Sequence, residues 1–258
     1  MLQFRLFQSN LYFILLFMVA LVSFQLNRLT IEFFILFTLL IVVAFLKEKQ
    51  RVFVWISIAY FFGEFLHLYA NRFLNEMNFP VHAVYIAEKL LLLFPILCII
   101  YVRYKFKQNI TIFHHSTSIL QVSNKHRRAI FLLLIILALS LLILLLALYH
   151  FSFSYVGYML LYAAISSMIE EILWRSLLMQ SMQSLTNNWM ALTLSSIAYG
   201  CSYLMYGYSI EICLVFALSG FLYGWITIYY KRLVPSIICH FFIFIGMIVS
   251  GIIPFSLF

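Results

Sequence analysis

Residues 169–178 read IEEILWRSLL and set two adjacent carboxylates, Glu170 and Glu171, one turn ahead of the guanidinium of Arg175 in an otherwise apolar stretch. A carboxylate in the middle of a membrane span is costly unless it is paired or faces water. On an α-helix Glu171 and Arg175 stand at i,i+4 with the acid on the N-terminal side, the favourable orientation for an ion pair. Glu170 lies about 100° round the axis, so one arginine neutralises Glu171 and leaves Glu170 with spare basicity. A free carboxylate in a membrane cavity suits a general base acting on water. A network of ion pairs that binds helices together is the alternative, and the residues alone leave both open.

The other charges have simpler readings. All eight acidic residues are glutamates. Glu32, Glu48, Glu76 and Glu211 fall at span ends or in loops. Glu64 with His67, and Glu88 with Lys89, lie deeper and are read as pairs that neutralise themselves at helix interfaces. His114 and His115 have no third ligand nearby and are read as part of a solvated loop. Cys98, Cys201, Cys213 and Cys239 lie in apolar runs without a CxxC spacing, which indicates packing residues rather than disulfides or a zinc ribbon.

These side chains must be positioned by membrane helices. With 66% of residues hydrophobic and 9% charged, and a mean hydropathy of +1.06, the composition excludes an ordinary soluble domain and predicts an all-α, polytopic transmembrane bundle. Apolar windows place spans at 10–26, 29–46, 52–69, 81–102, 129–152, 155–183, 189–207, 209–230 and 234–252, or eight to nine in all. The chain divides into four N-terminal transmembrane helices (1–102), a basic cytoplasmic loop (103–128) and a helical core (129–258). In the eighth span Gly220 and Gly224 form a GxxxG, which permits close helix approach.

The net charge of +8 resides mainly in alternate loops: KEKQR at 47–51, the segment 103–128, and Lys231 with Arg232. The positive-inside rule then puts the N-terminus in the cytoplasm of a multi-pass cell-membrane protein. The expected partner of this charge is the lipid bilayer, and nucleic acid is excluded because no basic face carries interleaved aromatics.

EEILWR resembles the EExxxR signature of the CAAX protease and bacteriocin-processing family (CPBP, or Abi), the intramembrane glutamic endopeptidases. The resemblance extends to two later blocks. SSIAYGCSYL at 195–204 is similar to a helix ending in FxxxH, with Tyr199 as the aromatic, and GFLYGWITIYYKRLVPSIICHFFIF places His240 at the histidine of an HxxxN or HxxxD block. The three blocks fall within 155–250. Tyr203 stands at the family's second-block histidine and Phe244 at its last asparagine or aspartate.

The resemblance implies a catalytic set of Glu170, His240, Glu171, Arg175 and Tyr203. Glu170 would be the base, His240 an orienting or oxyanion partner, Glu171 and Arg175 a supporting pair, and Tyr203 a hydrogen-bond donor. It implies no cofactor. Zinc is disfavoured because a protonated phenol at 203 is a poor ligand. The implied function is a membrane endopeptidase acting on a membrane-associated peptide or protein through a glutamate-activated water. Two alternatives stay open. One is a catalytically degenerate homologue serving as scaffold, regulator or bacteriocin self-immunity protein. The other is a small transporter using Glu64, Glu88 and Glu170, although no inverted repeat accompanies them.

Overall fold

The computed structural model describes residues 2–27, 30–46, 50–77, 79–108, 131, 135 and 153–253. Among them the secondary structure is helical, with no strand. The N-terminal helices are α1 (Leu2–Asn27), α2 (Ile31–Leu46), α3 (Arg51–Glu76), α4 (Val81–Leu91) and α5 (Leu93–Lys105). After them come α6 (Phe153–Glu171), a π-helical segment (Ile172–Met179), α7 (Gln180–Gln183), α8 (Asn188–Ser202), a 3₁₀ turn (Tyr203–Tyr206), α9 (Ile210–Tyr230) and α10 (Val234–Val249). The expected span at 129–152 and most of the loop at 103–128 lie outside the described residues.

Apolar content drives this arrangement. Among the described residues four stretches are long and apolar enough to cross a membrane, Arg51–Glu76, Val81–Lys105, Ser154–Gln183 and Ile210–Tyr230, and Leu11–Leu26, Ile31–Phe45 and Val234–Val249 are shorter apolar helices. Large apolar side chains such as Phe34, Phe45, Leu214 and Leu218 point outward, as suits a bundle whose solvent is lipid. The protein is an all-α, multi-pass membrane bundle.

Local chemistry sets the ends and breaks. Pro95 has no N–H, and its ring would clash with the carbonyl four residues back, at Leu91. The helix accordingly breaks at Leu92 between α4 and α5. Asn187 caps α8 by accepting from the Met190 amide at 2.8 Å, which satisfies one of the free N–H groups of the first turn. Pro235 sits in the first turn of α10, where a missing donor costs nothing.

Packing brings the two halves of the chain together around α6 and the π segment. α10 and α4 lie against α6, α9 packs along α8, and α1 reaches α8 from the other half. The expected close approach at the GxxxG is present. A Cβ on Gly220 would stand 2.7 Å from Tyr199 Cδ1 and 3.0 Å from Arg175 Nη2, and one on Gly224 would collide with Leu192.

Arg103, expected to begin the basic loop, lies instead within α5 and is 4% exposed. Its guanidinium donates to Gln180 Oε1 at 2.8 Å, to the Leu177 carbonyl at 3.0 Å and to Ser181 Oγ at 2.9 Å. Three acceptors on the far end of the motif helix outweigh exposure to water, since hydrogen bonds to a charged group are among the stronger ones. Arg103 thereby fastens the N-terminal half to the end of the π segment.

Gly220→Ala is expected to destabilise the protein by about 1–3 kcal/mol, because the added methyl has only Tyr199 and Arg175 to displace. Gly157→Ala, where a Cβ meets nothing within 4 Å, is expected to be neutral or stabilising by about 0.5–1 kcal/mol. Thermal unfolding of the purified variants in detergent checks both signs.

Candidate active site

Glu170 ends the regular part of α6 and is 3% exposed. Its carboxylate is surrounded by donors. Lys89 Nζ, from the last turn of α4, reaches Oε1 at 2.7 Å. The hydroxyls of Tyr199 and Tyr203 both donate to Oε2, at 2.9 and 2.8 Å. The expectation of a free Glu170 is therefore corrected: the carboxylate is paired, and its partner comes from the N-terminal half.

The expected self-neutralising pair of Glu88 and Lys89 is corrected with it. Consecutive residues on a helix do not face each other. Lys89 turns inward to Glu170, while Glu88 accepts from Asn71 Nδ2 at 2.9 Å. Glu64 and His67 do pair, at 3.2 Å between Oε2 and Nδ1, because i,i+3 positions share a face.

Glu171 is fully buried and makes the expected i,i+4 ion pair with Arg175, along with closer contacts. Its closest partners are both on α10: Ser236 Oγ donates to Oε2 at 2.6 Å, and His240 Nδ1 lies 3.0 Å from Oε1. Arg175 stands farther off, with Nη1 at 3.5 Å from Glu171 Oε1. The guanidinium instead donates through Nη2 to the Gly220 carbonyl at 2.9 Å and lies over the rings of Tyr199 and Tyr223, at 4.5 and 5.4 Å from their centroids. Such cation–π contacts stabilise a cation where water is scarce. The i,i+4 ion pair persists at 3.5 Å although residues 172–179 are π-helical, with i→i+5 bonding, rather than the α-helix the expectation assumed.

His240, 1% exposed, is clamped between the two glutamates. A carboxylate can only accept, so the Nδ1 facing Glu171 carries a hydrogen. Nε2 then faces the Tyr199 hydroxyl at 3.3 Å and Glu170 Oε2 at 3.7 Å. Tyr223 stacks on the ring at 4.4 Å and 15°, fixing its plane. Phe244 packs edge-on against His240 at 5.8 Å, so an apolar ring fills the position where the family pattern has an amide or acid.

The five residues expected to form one site do come together. Glu170 contacts Tyr203 and neighbours His240, and Glu171 contacts His240 and neighbours Arg175. Sequence reasoning missed Lys89, Tyr199, Ser236 and Tyr223. Ser236 could have been found, since it lies four residues before His240 and so on the same helix face. In the motif Tyr199 counts only as an aromatic, whereas its hydroxyl is what reaches Glu170.

The two motif carboxylates, Glu170 and Glu171, are matched here by one ammonium, Lys89, and one guanidinium, Arg175. Balance of this kind is what a site out of water requires. A cavity of about 20 Å³ adjoins Glu170, Lys89 and Tyr203, enough for one water molecule. Among the described residues no group of three or more His, Cys, Asp or Glu side chains is arranged to hold a metal ion.

No curated protein and no solved structure matches the chain. A family model does: residues 152–245 match type II CAAX prenyl endopeptidase Rce1-like. The match spans both glutamates, Arg175, Tyr203 and His240, and stops short of the helices that supply Lys89 and Arg103. The motif-bearing segment 152–245 is therefore similar to the Rce1-like type II CAAX prenyl endopeptidases.

Proposed function

We propose that the protein is an intramembrane endopeptidase in which Glu170 activates water against a peptide bond. The observation that carries this reading is the convergence of Glu170, Tyr199, Tyr203 and His240 beside a water-sized cavity. Glu170 takes a proton from water as the oxygen attacks the scissile carbonyl, forming a C–O bond and an oxyanion. The nearby Lys89 ammonium stabilises that negative charge as it develops. Collapse of the intermediate breaks the C–N bond, and the proton held by Glu170 passes to the leaving amine. One water and one peptide give a carboxylate and an ammonium.

The remaining groups position these. Tyr199 and Tyr203 aim the carboxylate by donating to the same oxygen, Oε2. Glu171 and Ser236 hold His240 with Nε2 toward the site. Tyr203 replaces a histidine as donor while its ring stacks on Phe216 at 3.6 Å. The substrate class is a peptide or protein tail presented at the membrane, and the similarity to CAAX prenyl endopeptidases makes a prenylated cysteine peptide the natural first probe. The chain is placed in the cell membrane with its N-terminus in the cytoplasm, on the alternation of basic loops.

One observation favours a second reading, a catalytically degenerate scaffold or immunity protein: Phe244 removes a polar group from the site. The two readings part on turnover.

Wild-type protein in lipid vesicles is expected to cleave a quenched-fluorescent peptide bearing a prenylated cysteine followed by three residues. Glu170→Gln is expected to reduce kcat by at least about 100-fold, the usual contribution of a general base. Equal rates for the two proteins would refute the peptidase reading and leave the scaffold.

Tyr203→Phe keeps the stacked ring and removes one donor, so kcat is expected to fall about tenfold with the melting temperature nearly unchanged. Tyr203→His with Phe244→Asn is expected to raise kcat. A double variant no faster than wild type would show that the two replaced positions do not limit the reaction.

A further inference from the structure

The cavity beside Glu170 has a second wall that the mechanism above does not use. Gln25 from α1 and Tyr60 and Glu64 from α3 line it, opposite Lys89, Glu170 and Tyr203. All three are buried, at 3%, 0% and 3% exposure. Neither Gln25 Oε1 nor the Tyr60 hydroxyl has a well-formed hydrogen bond, although the hydroxyl faces Gln25 and Glu64. Buried polar atoms of this kind carry a desolvation penalty unless something fills their valence.

The size and charge of the space select what that is. A volume of about 20 Å³ admits one water, which needs about 10–15 Å³ and two to four polar partners. The Lys89 ammonium shares the wall with the Glu64 and Glu170 carboxylates, and among the described residues no three His, Cys, Asp or Glu side chains are arranged to hold a metal ion. The wall offers acceptors in Gln25 Oε1 and the Glu64 and Glu170 carboxylates, and a hydroxyl able to donate in Tyr60.

We propose that the N-terminal helices complete the catalytic site, with Gln25 and Tyr60 holding the water that Glu170 deprotonates. This rests on the peptidase reading for its chemistry, though not for the water site itself. In this arrangement one water hydrogen points to Gln25 Oε1, the other to Glu170, and the oxygen accepts from Tyr60. Gln25 and Tyr60 are positioning residues for the nucleophile. They supply from outside the 152–245 segment the kind of polar contact that Phe244 cannot make inside it. Tyr60 is anchored for the task by edge contacts with Phe17 at 5.6 Å and Trp174 at 5.9 Å.

The test joins a high-resolution structure with kinetics on wild type, Tyr60→Phe and Gln25→Leu, using the prenylated-cysteine peptide as probe. Density for one water between Gln25, Tyr60 and Glu170 is expected in wild type and its loss or displacement in Tyr60→Phe. Both variants are expected to lower kcat about tenfold with KM unchanged, as for one lost hydrogen bond in the transition state. Tyr60→Phe should melt no lower than wild type, since its ring packing is intact, whereas a purely structural role would move the melting temperature and leave kcat alone. A dry cavity in wild type overturns the proposal, as does a Tyr60→Phe enzyme with unchanged kcat. If wild type cleaves nothing, the peptidase reading has failed, and density alone then decides: water lost on Tyr60→Phe upholds the site, and its absence in wild type overturns it.

Discussion

The contact between Lys89 and Glu170, 2.7 Å across the boundary between the N-terminal helices and the motif helix, is the constraint on which the rest of the structure depends. Moving a carboxylate out of water costs far more than one hydrogen bond returns, so it is tolerated only with a charged partner and satisfied lone pairs. Glu170 has both. Once it is paired with Lys89, Arg175 no longer has to serve both glutamates. It can settle over Tyr199 and Tyr223 and bond to the Gly220 carbonyl, an approach that needs glycine at 220. Glu171 is then released to orient His240.

The same contact explains why the motif segment is not a self-sufficient unit. Lys89 reaches Glu170 from α4, just before the break at Leu92, and Arg103 reaches Leu177, Gln180 and Ser181 from α5. These two cations grip the motif helix on either side of its π segment. A π segment is often found at functional sites, and here it lies between the two glutamates and the Arg103 anchor. The N-terminal helices α1 to α5, to which composition assigns no role, supply one of the two cations that neutralise the glutamates and the far wall of the adjoining cavity.

Most of the helix pattern was legible because apolar runs in a membrane protein are long and broken by charge. The spans expected at 29–46, 209–230 and 234–252 correspond closely to α2, α9 and α10. The break at Leu92 was not drawn, although Pro95 is a local signal for it. The π geometry was not legible at all: ILWRSLLM contains no glycine or proline, and the contacts that fasten its end come from Arg103, 70 or more residues away. The site itself was half legible. Motif spacing brought Glu170, Glu171, Arg175, Tyr203 and His240 to one place. Lys89 was assigned to its neighbour Glu88, which helix geometry forbids, and so the charge balance of the cluster could not be read before the fold was in hand.

The central claim is that Lys89 and Glu170 exist as one neutral unit out of water, and a double-mutant cycle in thermal or denaturant unfolding tests it most directly. Lys89→Met and Glu170→Gln each leave a buried charge without its partner and are each expected to cost about 3–5 kcal/mol. The double variant Lys89→Met/Glu170→Gln removes both charges and is expected to be more stable than either single variant, so that the two effects are strongly non-additive. Additive losses, with the double variant the least stable of the three, would contradict the account.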